Sequence, residues 1–501
     1  FFISIAGVVA QDPNRPALTE GDRNLSYADL VSLTDLIRLQ FKGIGVEPGD
    51  RVGIYLTNSA VAYAAIFACI LCGATYVPLA TDDPEARLRQ VIEEAQLKAV
   101  IGLKTSPNSH QLLSKTVAFI ELDEDALFSQ ITRPTRAFDL SELTDTVPLY
   151  ILFTSGSTGR PKGVPIDSVN VGEFSKWARD YFAIESSDVF LGITRLTFDL
   201  SVFNLFLPFW CGASVLIARQ VIEQLNPTRL LEKGVTVALT VPRITGLVFD
   251  EQIARESKCF PRLRHLLFCG EQLFAAQVHH WMMRNPRLHV HNCYGPTEAT
   301  VACTCHSFSP GDVVADPVSI GRALPGQHMD LVLEDGSVLD GAGQGELVIS
   351  GSQVSRFGYW RTASNRFYDD PQNGRSFKSG DLVRRDNEGL LYWLARIDEQ
   401  IKIKGYRVDL GEIEQALSSV EGVRDLICLF DVERQVVTAV YSSDKSGGLR
   451  EIEAALKSQA ERSLPIYMRP YRFVAVGEVP RTKNGKADRR AAQALVEADG
   501  L

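Results

Sequence analysis

The chain has 501 residues, and 52 lysines and arginines against 61 aspartates and glutamates leave a formal charge of −9. With 45% hydrophobic and 23% charged residues it holds enough apolar material for a sizeable core and too much for a disordered chain. The acidic balance, with no clustered block of Lys or Arg, argues against nonspecific nucleic-acid binding. Nine cysteines, odd in number and scattered, make no disulfide framework. Cys69 and Cys72 form a C-x-x-C, and Cys303 and Cys305 a C-x-C, but neither has a second pair at zinc spacing, so both read as buried thiols.

The chain begins on Phe1, and Phe1–Ala10 is apolar without a basic n-region or a small-residue cleavage pattern. The first 150 residues then alternate strand-like runs (Arg51–Leu56, Ala99–Leu103, Val117–Leu122) with amphipathic stretches such as Pro84–Ala95. Ala60–Ala80 is uncharged over a length that raises the question of a membrane span. Gly73, Thr75 and Pro78 divide it into a core helix and a core strand. A cytoplasmic, reducing compartment is expected, with neither membrane nor nucleic acid as a partner. Leu149–Phe153, Val189–Ile193, Val235–Thr240, His265–Phe268 and Leu288–His291 continue the alternation, so the fold class is α/β with strands buried on both faces. From about Asp330 the texture changes to hairpins, with Gly341, Gly343 and Gly345 as turn glycines rather than a nucleotide loop, since no long helix follows. From Ile397 onward the order is compact α+β.

Four segments carry chemistry. Thr154-Ser155-Gly156-Ser157-Thr158-Gly159-Arg160-Pro161-Lys162-Gly163 follows an apolar strand. Its glycines admit close approach, its hydroxyls and N–H groups donate to anionic oxygens, and Lys162 adds a point charge, which makes a phosphate cradle. It is not a Walker A loop, because Lys162 stands between Pro161 and Gly163. Asn292-Cys293-Tyr294-Gly295-Pro296-Thr297-Glu298 offers an amide, a ring, a hydroxyl and a carboxylate within one tight turn, a set that suits a purine, a phosphate and a magnesium ion. Lys378-Ser379-Gly380-Asp381-Leu382 reads as a turn whose Asp accepts from ribose hydroxyls. Asn484-Gly485-Lys486, taken alone, is an exposed hairpin turn.

In order and spacing these segments resemble the adenylate-forming superfamily, and within it the amino-acid adenylation domains of nonribosomal peptide synthetases. The resemblance runs through nearly the whole chain. It takes in Leu25-Ser26-Tyr27-Ala28-Asp29-Leu30, Gly73-Ala74-Thr75-Tyr76-Val77-Pro78-Leu79, Phe198-Asp199-Leu200-Ser201-Val202-Phe203, Gly345-Glu346-Leu347, Ile401-Lys402-Ile403-Lys404-Gly405-Tyr406-Arg407 and Thr482-Lys483-Asn484-Gly485-Lys486. It implies a large N-terminal core of stacked α/β sheets with a small β-subdomain over 1–396. A small mobile α+β domain over 397–501 would follow, carrying a catalytic lysine. ATP and Mg²⁺ are the implied cofactors. The cradle residues Thr154, Ser155, Gly156, Ser157, Thr158, Gly159 and Lys162 would hold the phosphates, and Gly295 and Thr297 would also belong to the ATP site. Asn292 and Tyr294 would hold the adenine, with Gly270 and Glu271 opposite. Glu298 would ligate Mg²⁺, and Asp381, with Arg396 nearby, would grip the ribose. Lys486 would stabilise charge during attack on the α-phosphate, and Asp398 would be the hinge on which Lys486 exchanges with the Lys402–Gly405 face. Lys378-Ser379 replaces the family's usual Arg-Thr, Ala395 its usual Gly, and Gln353-Val354-Ser355-Arg356-Phe357 departs from its glycine- and alanine-rich stretch.

Asp199 is the informative pocket residue, since the resemblance gives it the substrate's α-amino group. A buried Asp facing no cation is costly, and its bland alternative is the N-cap of a helix over Leu200–Phe206. The remaining implied pocket positions are Leu200, Phe203, Thr240, Leu267, Cys269, Cys293, Val301 and Ala302, none of them charged. A neutral, apolar, medium-sized amino acid is therefore expected, branched aliphatic first, then proline or phenylalanine. The expected partner is a carrier protein with a phosphopantetheine arm. A D-alanine-type carrier ligase and a carboxylic acid–CoA ligase are the neighbouring alternatives, and a catalytically silent nucleotide-binding scaffold the remote one.

Overall fold

The computed structural model describes residues 2–105, 117–132, 138, 140–141, 143, 145–156, 160–220, 223–224, 227–243, 260–285, 287–398, 400–403, 405–432, 434–443, 448–482 and 488–498. Two compact units emerge: one of residues 1–81, 95–152 and 163–397, the other of 82–94, 153–162 and 398–501. Segments 82–94 and 153–162 thus group with the C-terminal residues, a grouping that no single cut of the chain expresses.

In the larger unit Ala60–Leu71 is a helix with every residue buried, started by the Ser59 side chain accepting from the Ala62 N–H, and Thr75–Pro78 is a buried strand. A helix apolar all round must sit inside, and this one does. It shares one continuous hydrophobic core with Val52, Ile54 and Ile101 of one sheet and Leu18, Phe190 and Val237 of another. Among the described residues the first sheet has six strands and the second nine, seven of them in the order Thr304–Phe308, His289–Tyr294, His265–Phe268, Val237–Thr240, Val189–Gly192, Ser214–Ile217, Pro16–Glu20. From His289–Tyr294 to Pro16–Glu20 the pairings are parallel, and Thr304–Phe308 runs antiparallel. A parallel sheet directs its strands' carboxyl ends to one edge, where ligands gather.

Three sequence expectations change here. The strand expected to end at His291 runs on to Tyr294, pairing Asn292 with Phe268 on one side and His306 on the other. Alternation of Asn292, Cys293 and Tyr294 across its faces, rather than a turn, separates their side chains. Likewise Asp381 lies inside the twelve-residue strand Gly374–Arg385 of a five-stranded antiparallel sheet, not in a turn. Gly380, at φ +73°, sits beside a break in that strand's register with Gly343–Gly351, and such a bulge re-aims the next side chain. Gly343 and Gly345 belong to that neighbouring strand; a Cβ on Gly345 would stand 2.7 Å from the Val332 carbonyl oxygen, so close strand approach explains it.

The smaller unit has its own core, including Val408, Ile413, Leu417, Cys428, Ala439 and Leu456. Its three-stranded sheet orders Val423–Asp431, Val436–Ser443 and Arg472–Val476, accompanied by the hairpin Gln400–Ile403/Tyr406–Asp409. The architecture agrees with the expected α/β core and small α+β domain. No helix among the described residues is long and apolar enough to cross a membrane.

Candidate active site

Residues 294–298 of the larger unit organise three buried carboxylates. Tyr294 donates its hydroxyl to Asp381 Oδ2 at 2.5 Å, and Thr297 donates to Asp199 Oδ2 at 2.7 Å. Glu298, 0% exposed, accepts from the Tyr359 hydroxyl at 2.6 Å, while its carbonyl accepts from Ser355 N–H. Asp381 is bonded further: Trp393 donates its indole N–H to Oδ1 at 2.8 Å, and Arg396, its register partner, stands 3.1 Å from the same oxygen. Burial first, then the Asp381 charge, pushes the Tyr294 phenol well above its ordinary range, so it remains a donor. Asn292, expected at the adenine, gives its amide to the Ser319 carbonyl at 2.9 Å, which fixes the amide plane.

The turn that follows is strained. Thr300 and Val301 both take left-handed backbone, at φ +56° and +67°, the latter rare for a β-branched residue. Such positions cost on the order of 1–3 kcal/mol each and persist only when their surroundings hold them. Gln353, 1% exposed, supplies much of that hold. Its side-chain amide donates to the Ala302 carbonyl at 3.0 Å and reaches the Thr300 carbonyl at 3.5 Å, and its backbone carbonyl accepts from the Thr300 hydroxyl at 2.8 Å. The stretch that departs from the family pattern is therefore a clamp on the turn carrying Val301 and Ala302. Gly295 has to be glycine, because a Cβ there would lie 2.7 Å from Ala302 Cα and Val301 O.

Leu200, Phe203, Leu267, Cys269, Cys293, Val301 and Ala302 join one buried apolar cluster. Thr240 is buried too, but register pairs it with Phe268, whereas Leu267 pairs with Leu239 on the other face. The Thr240 hydroxyl has no hydrogen-bond partner among the described residues. Cys293 lies 3.5 Å, sulfur to sulfur, from its cross-strand partner Cys305; that bond and burial keep it a thiol well above its usual range. Asp199 is 7% exposed and does not occupy the N-cap of the following helix: Leu200 does, without a side-chain cap bond. Gly270, at φ +92°, would carry a Cβ 3.4 Å from Val241 and 3.5 Å from the Phe198 ring, and Glu271 accepts from the Arg243 N–H at 3.2 Å.

In the smaller unit, Thr154 ends one strand and Lys162 begins the next. Gly156 donates its N–H to Glu412 Oε2 at 3.1 Å, the Ser155 hydroxyl donates to the Arg407 carbonyl at 2.8 Å, and Arg87 pairs with Glu412 Oε1. A Cβ on Gly156 would collide with the Arg160 carbonyl at 2.2 Å. The Asp398 carboxylate accepts from the Gln400 N–H at 3.2 Å. Ser157, Thr158, Gly159, Lys404 and Lys486 lie outside the described residues.

Among the described residues no three or more His, Cys, Asp or Glu side chains gather as a metal cage. Toward the expected magnesium ion the site offers one buried carboxylate, Glu298, and an ion held by so few protein ligands would take its others from water and phosphate oxygens.

Residues 6–360 match the family model of the AMP-binding enzyme, and 412–486 that of the AMP-binding enzyme C-terminal domain, so the chain belongs to the AMP-binding enzyme family. The adenylation domain AlmE of Vibrio cholerae, solved in complex with glycyl-adenosine-5'-phosphate, superposes with a TM-score of 0.83 at 25% identity, covering 99% of this chain and 97% of that one. An L-proline ligase of Streptomyces coelicolor that acts on an L-prolyl carrier protein is 32% identical over 505 residues, 96% of this chain and 94% of that protein. The Delta-poly-L-ornithine synthetase of Acinetobacter baumannii is 30% identical over 498 residues, and this chain spans only 36% of its length. Several other curated relatives are likewise more than twice as long as this chain's match to them.

Trp393 and Tyr359 escaped the sequence reading, and Gln353 entered it only as a departure from the family pattern. Each acts through a carboxylate or carbonyl far from it in the chain, and only its place in the fold reveals the bond.

Proposed function

We propose that this chain activates an amino acid with ATP, forming an aminoacyl-adenylate and pyrophosphate, and passes the acyl group to the phosphopantetheine thiol of a carrier protein. The observation that carries the reading is Asp199, a buried carboxylate beside apolar residues that points to a hydroxyl rather than capping its own helix. The α-ammonium of an amino acid is the kind of cation that a buried carboxylate can pair with. The apolar residues Leu200, Phe203, Leu267, Cys269, Cys293, Val301 and Ala302 favour a neutral, medium-sized side chain. Discrimination between aliphatics that differ by one methylene is only about 1–3 kcal/mol, so the pocket defines a class.

In this reading the core over 1–396 orients the reactants and the domain over 397–501 supplies Lys486. Asp381, held by Tyr294, Trp393 and Arg396, accepts from the ribose, and the 154–162 loop receives the phosphates. Glu298 would hold magnesium, which spreads the negative charge that builds on the phosphate oxygens when it is bound. Lys486 stabilises charge in the transition state, so Lys486→Ala lowers the adenylation rate by about 10²–10³-fold while changing ATP affinity far less. Asp398→Pro, at the hinge, spares one half-reaction and damages the other.

The test is amino-acid-dependent exchange of labelled pyrophosphate into ATP across proteinogenic and common nonproteinogenic amino acids. Exchange with one neutral apolar amino acid supports the reading. Exchange only with a charged one keeps the reaction and overturns the pocket. Activity with a fatty or aryl acid alone overturns the role given to Asp199.

A further inference from the structure

Thr297 belongs to the segment that the family resemblance gives to the nucleotide, yet its hydroxyl donates to Asp199 Oδ2 at 2.7 Å. It opens the short 3₁₀ turn Thr297–Ala299, one residue before Glu298 and three after Tyr294. That turn is tightly determined: Ala299 N–H bonds the Pro296 carbonyl, Thr300 N–H bonds the Thr297 carbonyl, and Ser355 N–H bonds the Glu298 carbonyl. The Asp199 side of the bond is fixed as well. Ser201 N–H bonds the Phe198 carbonyl and Val202 N–H bonds the Asp199 carbonyl, so the backbone around Asp199 is locked as the helix begins.

We propose that Thr297 is a positioning residue for amine recognition: its hydroxyl holds one oxygen of Asp199 and so fixes the orientation in which the carboxylate meets the substrate α-ammonium. This rests on the amino-acid-activating function proposed above and deepens it. A carboxylate has about four lone-pair sites, and a hydroxyl donor on one oxygen restricts its rotation without consuming its charge. A hydrogen bond to a charged group matters by about ten- to a hundredfold in an equilibrium. The same segment therefore reads both ends of the reaction, the amine through Thr297 and the ribose-gripping Asp381 through Tyr294.

The test compares the amino acid that the wild-type protein exchanges best with the carboxylic acid that lacks its α-amino group. Both are measured by pyrophosphate exchange in wild type, Thr297→Val and Thr297→Ser. Thr297→Val keeps the shape and loses the hydroxyl. The preference for the amino acid over its deaminated analogue, taken as the ratio of kcat/KM values, should fall about ten- to a hundredfold in Thr297→Val, mostly through KM, and recover in Thr297→Ser. Taking the ratio cancels whatever Thr297 contributes to the nucleotide, which both substrates share. Equal losses on both compounds, or no recovery in Thr297→Ser, overturn the inference while leaving amino-acid activation standing. A wild-type protein that activates only acids without an amino group overturns the proposed function and this inference together.

Discussion

The two ends of the parallel strands His265–Phe268 and His289–Tyr294 handle buried polar groups in opposite ways. At the carboxyl end, three carboxylates are each held by a hydroxyl, through Tyr294, Thr297 and Tyr359, and an acid keeps further lone pairs when one is engaged. At the amino end the polar groups close on one another. His265 Nδ1 and His291 Nε2 share a bond of 3.0 Å, His291 Nδ1 lies 2.6 Å from the Ser307 hydroxyl, and Tyr181 bonds the same hydroxyl at 2.9 Å. Asp188 beside them accepts from Thr236, Arg264 and the Glu185 N–H. A cavity of about 750 Å³ opens at this end, lined in part by Tyr181, Arg262, Arg287 and His289. At the amino end the polar groups brace the sheet through one another; at the carboxyl end they are carboxylates, each oriented by a hydroxyl.

The comparison breaks most readily at Asp199. Asp199→Ala should lower amino-acid-dependent exchange by about 10²–10³-fold, the cost of leaving a buried ammonium unpaired at about 3–5 kcal/mol.

At the opposite end the expected effect is on stability. Burial, reinforced by Arg264 and the neighbouring imidazole of His289, pushes His265 from 6.5 down to about 4, with Asp188 opposing, and His291 is driven down by burial and by its two histidine neighbours. Below about pH 6.5 the unfolded chain takes up a proton that folded His265 refuses until about pH 4. The stabilisation is thus fully present above that window and is lost as pH falls through it, by about 3 kcal/mol for His265. Urea midpoints measured between pH 7 and pH 4.5 should fall accordingly, and the double change His265→Gln with His291→Gln should flatten the slope.

Gln353→Ala should destabilise by about 2 kcal/mol, since two buried carbonyls lose a donor and the left-handed turn at Thr300 and Val301 loses its clamp. Denaturant unfolding measures the loss, and amino-acid selectivity should broaden with it. The smallest effect is expected at Trp393. Trp393→Phe keeps the ring and removes one donor from Asp381, which should weaken AMP binding by about tenfold in a calorimetric titration.

Much of the fold was legible in the sequence. Ala60–Leu71 announced itself by being apolar on every face, and the strands by short apolar runs ending in glycine- or proline-containing turns. The candidate site was legible where one short segment holds several functional groups, as Asn292–Glu298 does. What stayed hidden lies at long sequence separation. Gln353 looks like a departure from a glycine-rich pattern until Thr300 and Ala302 are seen beside it, and Asp381 looks like a turn residue until Gly380 is seen beside a bulge in a long strand. The side of the sheet on which Thr240 falls depends on strand register, which hydrophobicity alone leaves open when both faces are buried.

The Gly156 N–H that donates to Glu412 has a chemical consequence. One N–H serves one strong acceptor at a time, and Glu412 carries its acceptor on the same chain, anchored by Arg87. If the 154–162 loop receives phosphates as proposed, an arriving phosphate oxygen would meet the Glu412 carboxylate where it needs an amide hydrogen, and the two would compete for one donor.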